Sequence, residues 1–353
     1  MSVRALLAIL VVLVAHSSAA GPTASPPPAA PGGRAAMRPV AAVSIPPQRW
    51  LVRRLAGDAV DTIVVVEPSA SHETYQPTDK QASDVMRADV YFAIGLPLER
   101  SRWFEAVRSR VRVVDCAAGI APRTLEAHAH GDDDDHGPHS GAATGEGASH
   151  DAPGDHVGAG DGRDPHIWTT PATLKAQART MAAVIADLLA ATSGEPMAAP
   201  TTAPAGDAPR EPAREGVRAQ VRERLAALER ELDELDASLR ATLAPCRGRA
   251  MFVFHPAWGY FADAYGLRQV AIEHEGKAPT DHELTALQRL ARAEGVDVVF
   301  VQPQISSKAA DAVAAAVDGR VERIDPMAED VPANLRKVAE AVARGCKAGA
   351  RSP

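Results

Sequence analysis

The chain has 353 residues with a net charge of −7, 46% hydrophobic and 24% charged residues. That acidic balance gives no support for nucleic acid or an anionic membrane surface as a partner. Cysteines are few (Cys116, Cys246 and Cys346), and an odd count leaves at least one thiol unpaired within a monomer.

Met1-Ser2-Val3-Arg4 precedes an apolar run over 5–15, and the small residues Ser18-Ala19-Ala20 follow. One positive charge, a short apolar core and a small-x-small end predict a secretory signal peptide over 1–20, cleaved after Ala20. The run is shorter than the ~20 apolar residues of a membrane span. No Cys sits beside the cleavage point to carry a lipid. No stable membrane insertion is expected after cleavage. Residues 21–37 are Pro/Ala/Gly-rich, the composition of a disordered linker. The remainder is long enough for two domains.

Short β-branched and apolar runs alternate with helical patterns from there. Strands are predicted over 40–45, 60–66, 89–94 and 111–114. Between them, Pro46-Pro47 opens a helix that stops at Gly57, Thr78 caps a helix over 78–87, and a third covers 98–109. This alternation predicts a parallel sheet covered on both faces, a first lobe over 38–192.

The segment 127–162 interrupts that pattern. It carries His128, His130, His136, His139, His150 and His156, an aspartate run over 132–135 and many glycines. With almost no large apolar side chain it cannot offset the entropy cost of ordering. We read it as a disordered loop that captures transition metal weakly at several points. A solvated acidic linker with incidental histidines is the plainer alternative. Six of the chain's twelve histidines fall here, which favours metal capture.

Thr170-Pro171 opens a helix to about residue 191, and a second low-complexity insertion occupies 193–212. A helix over 213–244 follows, with Val217, Val221, Leu225, Leu228, Leu232, Leu235 and Leu239 at spacings of three and four. At 1.5 Å per residue it spans roughly 45 Å. It reads as a rigid strut joining two lobes; a coiled-coil dimer is the alternative, but such a short seam would hold a dimer weakly, so a monomer is expected. The second lobe, 245–348, repeats the α/β pattern. Its strands fall over 250–254, 267–272, 296–301 and 320–324, and Thr280 with Glu283 forms a capping box.

Three histidines stand in Pro- or Gly-bounded loops near strand or helix ends: His72, His166 and His255. Any one alone would be an ordinary loop or core histidine. Together, and with Asp325 immediately after the last strand, they could converge in an inter-lobe cleft, since ligands of open α/β sheets bind at the carboxyl ends of strands. Three imidazoles and a carboxylate suit Zn²⁺ in a near-tetrahedral shell, whereas Mn²⁺ prefers more oxygen, which an extra carboxylate such as Glu73 would supply. Neither a His-Glu-x-x-His helix nor a Gly-x-Ser-x-Gly elbow is present. Glu273 and Glu275 could act as bases, but surface or hinge roles suit them better; His274 and His282 are read as solvent-facing, and His16 leaves with the signal peptide. A manganese- or iron-binding protein is therefore the alternative to a zinc-binding one; an exported zinc hydrolase is poorly supported, and an adhesin would need an anchor.

The motifs carry a resemblance: Ser71-His72-Glu73-Thr74-Tyr75-Gln76-Pro77-Thr78, Asp164-Pro165-His166-Ile167-Trp168, the stretch from Phe252 to Phe261, and Gln304-Ile305-Ser306-Ser307-Lys308 through Ile324-Asp325-Pro326. In combination they resemble the ZnuA-type periplasmic substrate-binding proteins of zinc and manganese ABC importers, over about 40–346 apart from the two insertions. The resemblance implies two α/β lobes on a rigid helix, metal in the cleft, His72, His166 and His255 as ligands with Asp325 in the family's frequent acidic position, a periplasmic location, a membrane permease as partner and no enzymatic activity. The loop over 127–162 resembles the charged His-rich loop of the zinc members. Cys246 and Cys346 share the second lobe while Cys116 lies in the first, so a Cys246–Cys346 disulfide is one expectation and three free thiols the other.

Overall fold

The computed structural model describes residues 38–125, 162–192, 210–273, 280–316 and 319–349. The expected signal peptide, the N-terminal linker, the six histidines of the 127–162 loop, most of the second insertion and His274 lie outside the described residues.

Two four-stranded sheets form, each wholly parallel. The first orders β2(Asp61–Val64), β1(Val40–Val43), β3(Val90–Ala93) and β4(Arg112–Asp115). The second orders β6(Arg268–Ala271), β5(Ala250–Val253), β7(Val298–Val301) and β8(Arg320–Arg323). Each sheet therefore changes winding direction beside its first strand, and that is where the crevice of an open α/β sheet opens. Central strands are buried on both faces: β3 and β7 expose no residue.

Local chemistry explains the helices that follow. In α1(Pro46–Ala56) two prolines fill positions where backbone donors would have no partner. The Gln48 amide oxygen accepts from the Ser44 N–H at 2.9 Å. Thr78 caps α2(Asp79–Val85), with the Gln81 amide returning to it in a capping box. The helix expected over 98–109 divides into a 3₁₀ turn, Pro97–Arg100, and α3(Arg102–Arg108). α6(Gly259–Tyr265) ends on Gly266 at φ 69°, a left-handed position glycine takes without cost. α7(Asp281–Glu294) starts on the expected Thr280–Glu283 capping box, and His282 is exposed. α8(Ser307–Ala316) precedes β8.

α4(Pro171–Thr192) and α5(Arg210–Leu243) form the spine with α9(Val331–Gly349). α5 begins three residues before the expected start and carries Pro212 in its first turn. Leu228, Leu232, Leu235, Leu239 and Leu243 are at most 1% exposed. Each fully buried leucine stabilises by about 1.5–3 kcal/mol. The row packs against α1 and α4 on the first-lobe side and against α6 and α9 on the second. The apolar seam that could have paired two chains is covered within one. The largest core cluster runs continuously from Ala41 and Tyr91 through Trp168 to Trp258, Met327 and Leu335, so both lobes share it.

Cys246 and Cys346 form a disulfide with Cα atoms 5.7 Å apart, fastening α9 to the start of the second lobe. Cys116 is a buried free thiol, and burial pushes its ionisation up. Among the described residues no helix is long and apolar enough to cross a membrane.

Candidate metal centre

His72, His166 and His255 come together from three loops. His72 lies in the loop after β2, His166 shortly before α4, and His255 two residues after β5. All three are buried, at 4%, 1% and 3% exposure. One ring nitrogen from each lies within 4.8 Å of the others. His166 Nε2 is 2.9 Å from His72 Nε2 and 3.2 Å from His255 Nε2.

Two carboxylates set the imidazole tautomers, as assigned from the hydrogen-bond network. Asp164 Oδ1 accepts from His166 Nδ1–H at 2.7 Å and from the His166 backbone N–H at 2.9 Å. Glu273 Oε1 accepts from His255 Nδ1–H at 2.5 Å. A histidine that gives its Nδ1 proton to a carboxylate keeps an open Nε2 lone pair, the arrangement that metal-ligating histidines use. Lone pairs of His166 and His255 thus face each other with no hydrogen between them, and a cation relieves that repulsion. Trp168 walls the site: its ring centroid lies 5.7 Å from that of His72 and 5.2 Å from that of His166. Its Nε1–H donates to the Pro326 carbonyl at 2.6 Å, tying this wall to the second lobe.

For His72 and His255 the electrostatics favour the neutral imidazole. Burial, with repulsion from His166 and His255, holds His72 well below its usual protonation range. Burial lowers His255 to about 4, the charge of Glu73 opposing the shift and that of His166 adding to it. Burial would raise Asp164, but His166, through charge and hydrogen bonds, and then Arg123 bring it below the usual carboxylate range.

Asp325 is not brought to the three nitrogens. Among the described residues it belongs to neither cluster of potential ligands. Its Oδ1 accepts from the Met327 N–H at 2.9 Å, and Asn334 donates to its carbonyl at 2.6 Å, so it closes the turn into α9. Glu73 stands nearer, its Oε1 being 3.5 Å from His255 Nε2. Glu273 corrects a second expectation. It is no surface residue: it is 6% exposed and hydrogen-bonds a site histidine. The signal was an equal offset, because β5 and β6 pair residues 18 apart, as in Val253 with Ala271, and His255 with Glu273 continues that register.

Two parallel α/β lobes on a helical spine, with three buried imidazoles converging between them, define a two-lobed metal-binding protein. The chain matches the model of the ZnuA family, "Zinc-uptake complex component A periplasmic", over residues 42–195 and 213–344, and it belongs to that family. A crystal structure of ZnuA superposes with TM-score 0.67 at 30% identity, covering 88% of this chain and all of that one. A Chlamydia trachomatis serovar D chain, named only for metal binding, is 24% identical over 315 residues, 88% of this chain and 93% of its own length. The Haemophilus influenzae "High-affinity zinc uptake system protein ZnuA" is 30% identical over 111 residues, 31% of this chain and 33% of its own length. The protein is accordingly a metal-binding substrate-binding protein of this family.

Proposed function

We propose that the protein binds Zn²⁺ through His72, His166 and His255 in the periplasm and hands it to the membrane permease of an ABC importer. The observation that carries this reading is the convergence of three Nε2 atoms, two of them held as open lone pairs by Asp164 and Glu273. Borderline nitrogen donors in a compact shell suit zinc above harder ions. Glu73 or water takes the fourth position, in place of Asp325. With Glu73 as the fourth ligand the zinc has four protein ligands and no open position for a substrate, which suits a carrier and not a hydrolase. The histidines of the 127–162 loop then serve as weaker, additional captors.

Manganese or iron delivery is the second reading, and the proximity of the Glu73 carboxylate to His255 is what favours it. Competition titrations of the purified protein with zinc and manganese decide between the two. Tight zinc and weak manganese binding supports the first reading, and the reverse order overturns it. Turnover of ester, peptide or phosphate substrates would move the protein into the hydrolase class. Deletion of residues 127–161 should keep one tight zinc equivalent and lose weaker ones. The ends of that segment are already joined, the Leu125 N–H donating to the Gly162 carbonyl at 2.8 Å.

A further inference from the structure

Behind His166, a charged seam crosses from the first lobe to the second. Arg123 follows β4 and Asp164 precedes α4. An antiparallel bridge between Thr124 and Arg163 holds their two stretches side by side, with the Asp164 N–H donating to the Arg123 carbonyl at 2.7 Å. The Asp164 carboxylate is divided between two tasks. Oδ1 serves His166, and Oδ2 accepts from Arg123 Nη1 at 3.3 Å. From there Arg123 reaches across the lobes: its Nε donates to Asp263 Oδ2 on α6 at 2.9 Å. Tyr260, also on α6, accepts from the Arg123 backbone N–H and donates to the Ala121 carbonyl, both at 3.1 Å.

Gly259 shows how closely the lobes meet here. It is the first residue of α6, and a Cβ built on it would lie 2.6 Å from Asp164 Oδ2 and nearer still to the Arg123 guanidinium. Its φ lies outside the left-handed region, so space is what glycine supplies. The Arg123 side chain is 9% exposed and that of Asp164 fully buried. Withdrawal of α6 would take away the Asp263 and Tyr260 contacts that hold this enclosed pair from the second lobe.

We propose that Arg123 is a positioning residue that couples the orientation of His166 to the seam between the lobes, so that moving α6 away loosens the ligand and speeds metal release. This rests on the metal-carrier reading. With α6 docked, Asp263 and Tyr260 hold Arg123, Arg123 holds Asp164, and Asp164 fixes the imidazole. Once α6 moves, Arg123 loses Asp263 and Tyr260, and its hold on Oδ2 of Asp164 weakens. The carboxylate then no longer fixes the ring.

The test is the rate of zinc release from the full-length protein into excess chelator, followed in stopped flow, alongside zinc stoichiometry and the melting temperature of the metal-free form. Arg123→Ala should speed release by about 10-fold or more, the range seen when outer partners of metal ligands are removed. It should keep one tight equivalent, and Arg123→Lys should recover part of the loss. Asp263 is 62% exposed, so D263N probes the seam from the other lobe without a buried change. D263N should speed release by a smaller factor, and the R123A/D263N double variant should release no faster than R123A alone, because both act through one connection. Wild-type release rates in R123A and D263N, or effects that multiply in the double variant, overturn the coupling while leaving the metal site standing. Failure of the wild-type protein to bind zinc, or tight binding in all three histidine variants, overturns the carrier reading and this inference with it. If R123A does not fold, D263N still decides: faster release with one tight zinc equivalent retained supports the coupling, and unchanged release rejects it.

Discussion

His72 and His166 present their Nε2 atoms to each other at 2.9 Å. Tetrahedral zinc with bonds of roughly 2.0–2.1 Å would separate two such nitrogens by about 3.3 Å. Zinc therefore requires these two nitrogens to spread by only a few tenths of an ångström. Replacing His72, His166 or His255 singly with Ala should lower zinc affinity by at least about 100-fold, more than loss of an outer partner costs. Competition with a chromophoric chelator measures this. Undiminished affinity in all three variants would place the metal elsewhere.

Much of this was legible because it depends on short-range pattern. Alternating apolar strands and helical stripes give two parallel sheets, and His255 follows a strand that any reading of Met251-Phe252-Val253 recognises. Less legible were contacts set by sheet register and lobe packing. Glu273 lies opposite His255 only once β5 and β6 pair 18 residues apart. Asp325 follows its strand as expected, yet its side chain is taken up by the turn into α9, a local competition that strand position does not reveal. The start of α5 was hidden for another reason: Pro212 lies within a Pro/Ala-rich stretch, but a first-turn proline costs a helix no hydrogen bond. Arg123 belongs to no motif at all and acquires its partners from two lobes.

Glu273→Gln tests the partner carboxylate directly. The glutamine keeps the volume and removes the charge that steadies His255 Nδ1–H. Zinc affinity should fall about 10–100-fold with the stoichiometry unchanged. An affinity equal to wild type would show that packing alone orients His255.

The metal-free protein should lose stability in acid through its site. His255 falls from 6.5 in the ordinary state to about 4 in the folded one. Between those values the unfolded chain binds a proton that the folded chain refuses. The stabilisation is complete above pH 6.5, declines as pH drops through the window and is gone below about 4, amounting to at most roughly 3 kcal/mol. Chemical denaturation of metal-free protein from pH 4 to 8 should show this slope, and His255→Asn should reduce it, leaving the part that buried His72 contributes with the same sign. A variant with the wild-type slope would assign the acid sensitivity to other groups.

Glu99 should act with the opposite sign. It is 4% exposed beneath the first sheet's switch point, and it accepts from the backbone N–H groups of Ile94 at 3.0 Å and Gly95 at 2.6 Å, and from the Ser44 hydroxyl. Burial raises it from 4.5 to about 7, against the pull of those donors. The folded chain then holds a proton that the unfolded chain has lost, so the contribution is full below pH 4.5 and declines as pH rises towards 7. Glu99→Gln should be less stable than wild type at pH 5, since its amide would face donors, and the difference should narrow by pH 8. A gap that stays constant across that range would mean that Glu99 is charged in the folded state throughout.

Metal binding should leave the overall dimensions nearly unchanged. α5 is buried along its leucine row and packs on α1 and α4 at one end and α6 and α9 at the other. Separating the lobes would expose core residues common to both, such as Trp168 and Trp258, and would break the pairing of Arg49 with Glu329 (2.9 Å) and of Gln304 with the Pro68 carbonyl (2.7 Å). Wide closure belongs to binding proteins hinged on flexible segments, whereas a continuous packed helix permits small tilts and loop shifts. Small-angle scattering of the variant lacking residues 127–161 should give radii of gyration for the metal-free and zinc-loaded forms that agree within error. A clear compaction on adding zinc would show that α5 bends or slides, and would replace the strut with a clamshell hinge.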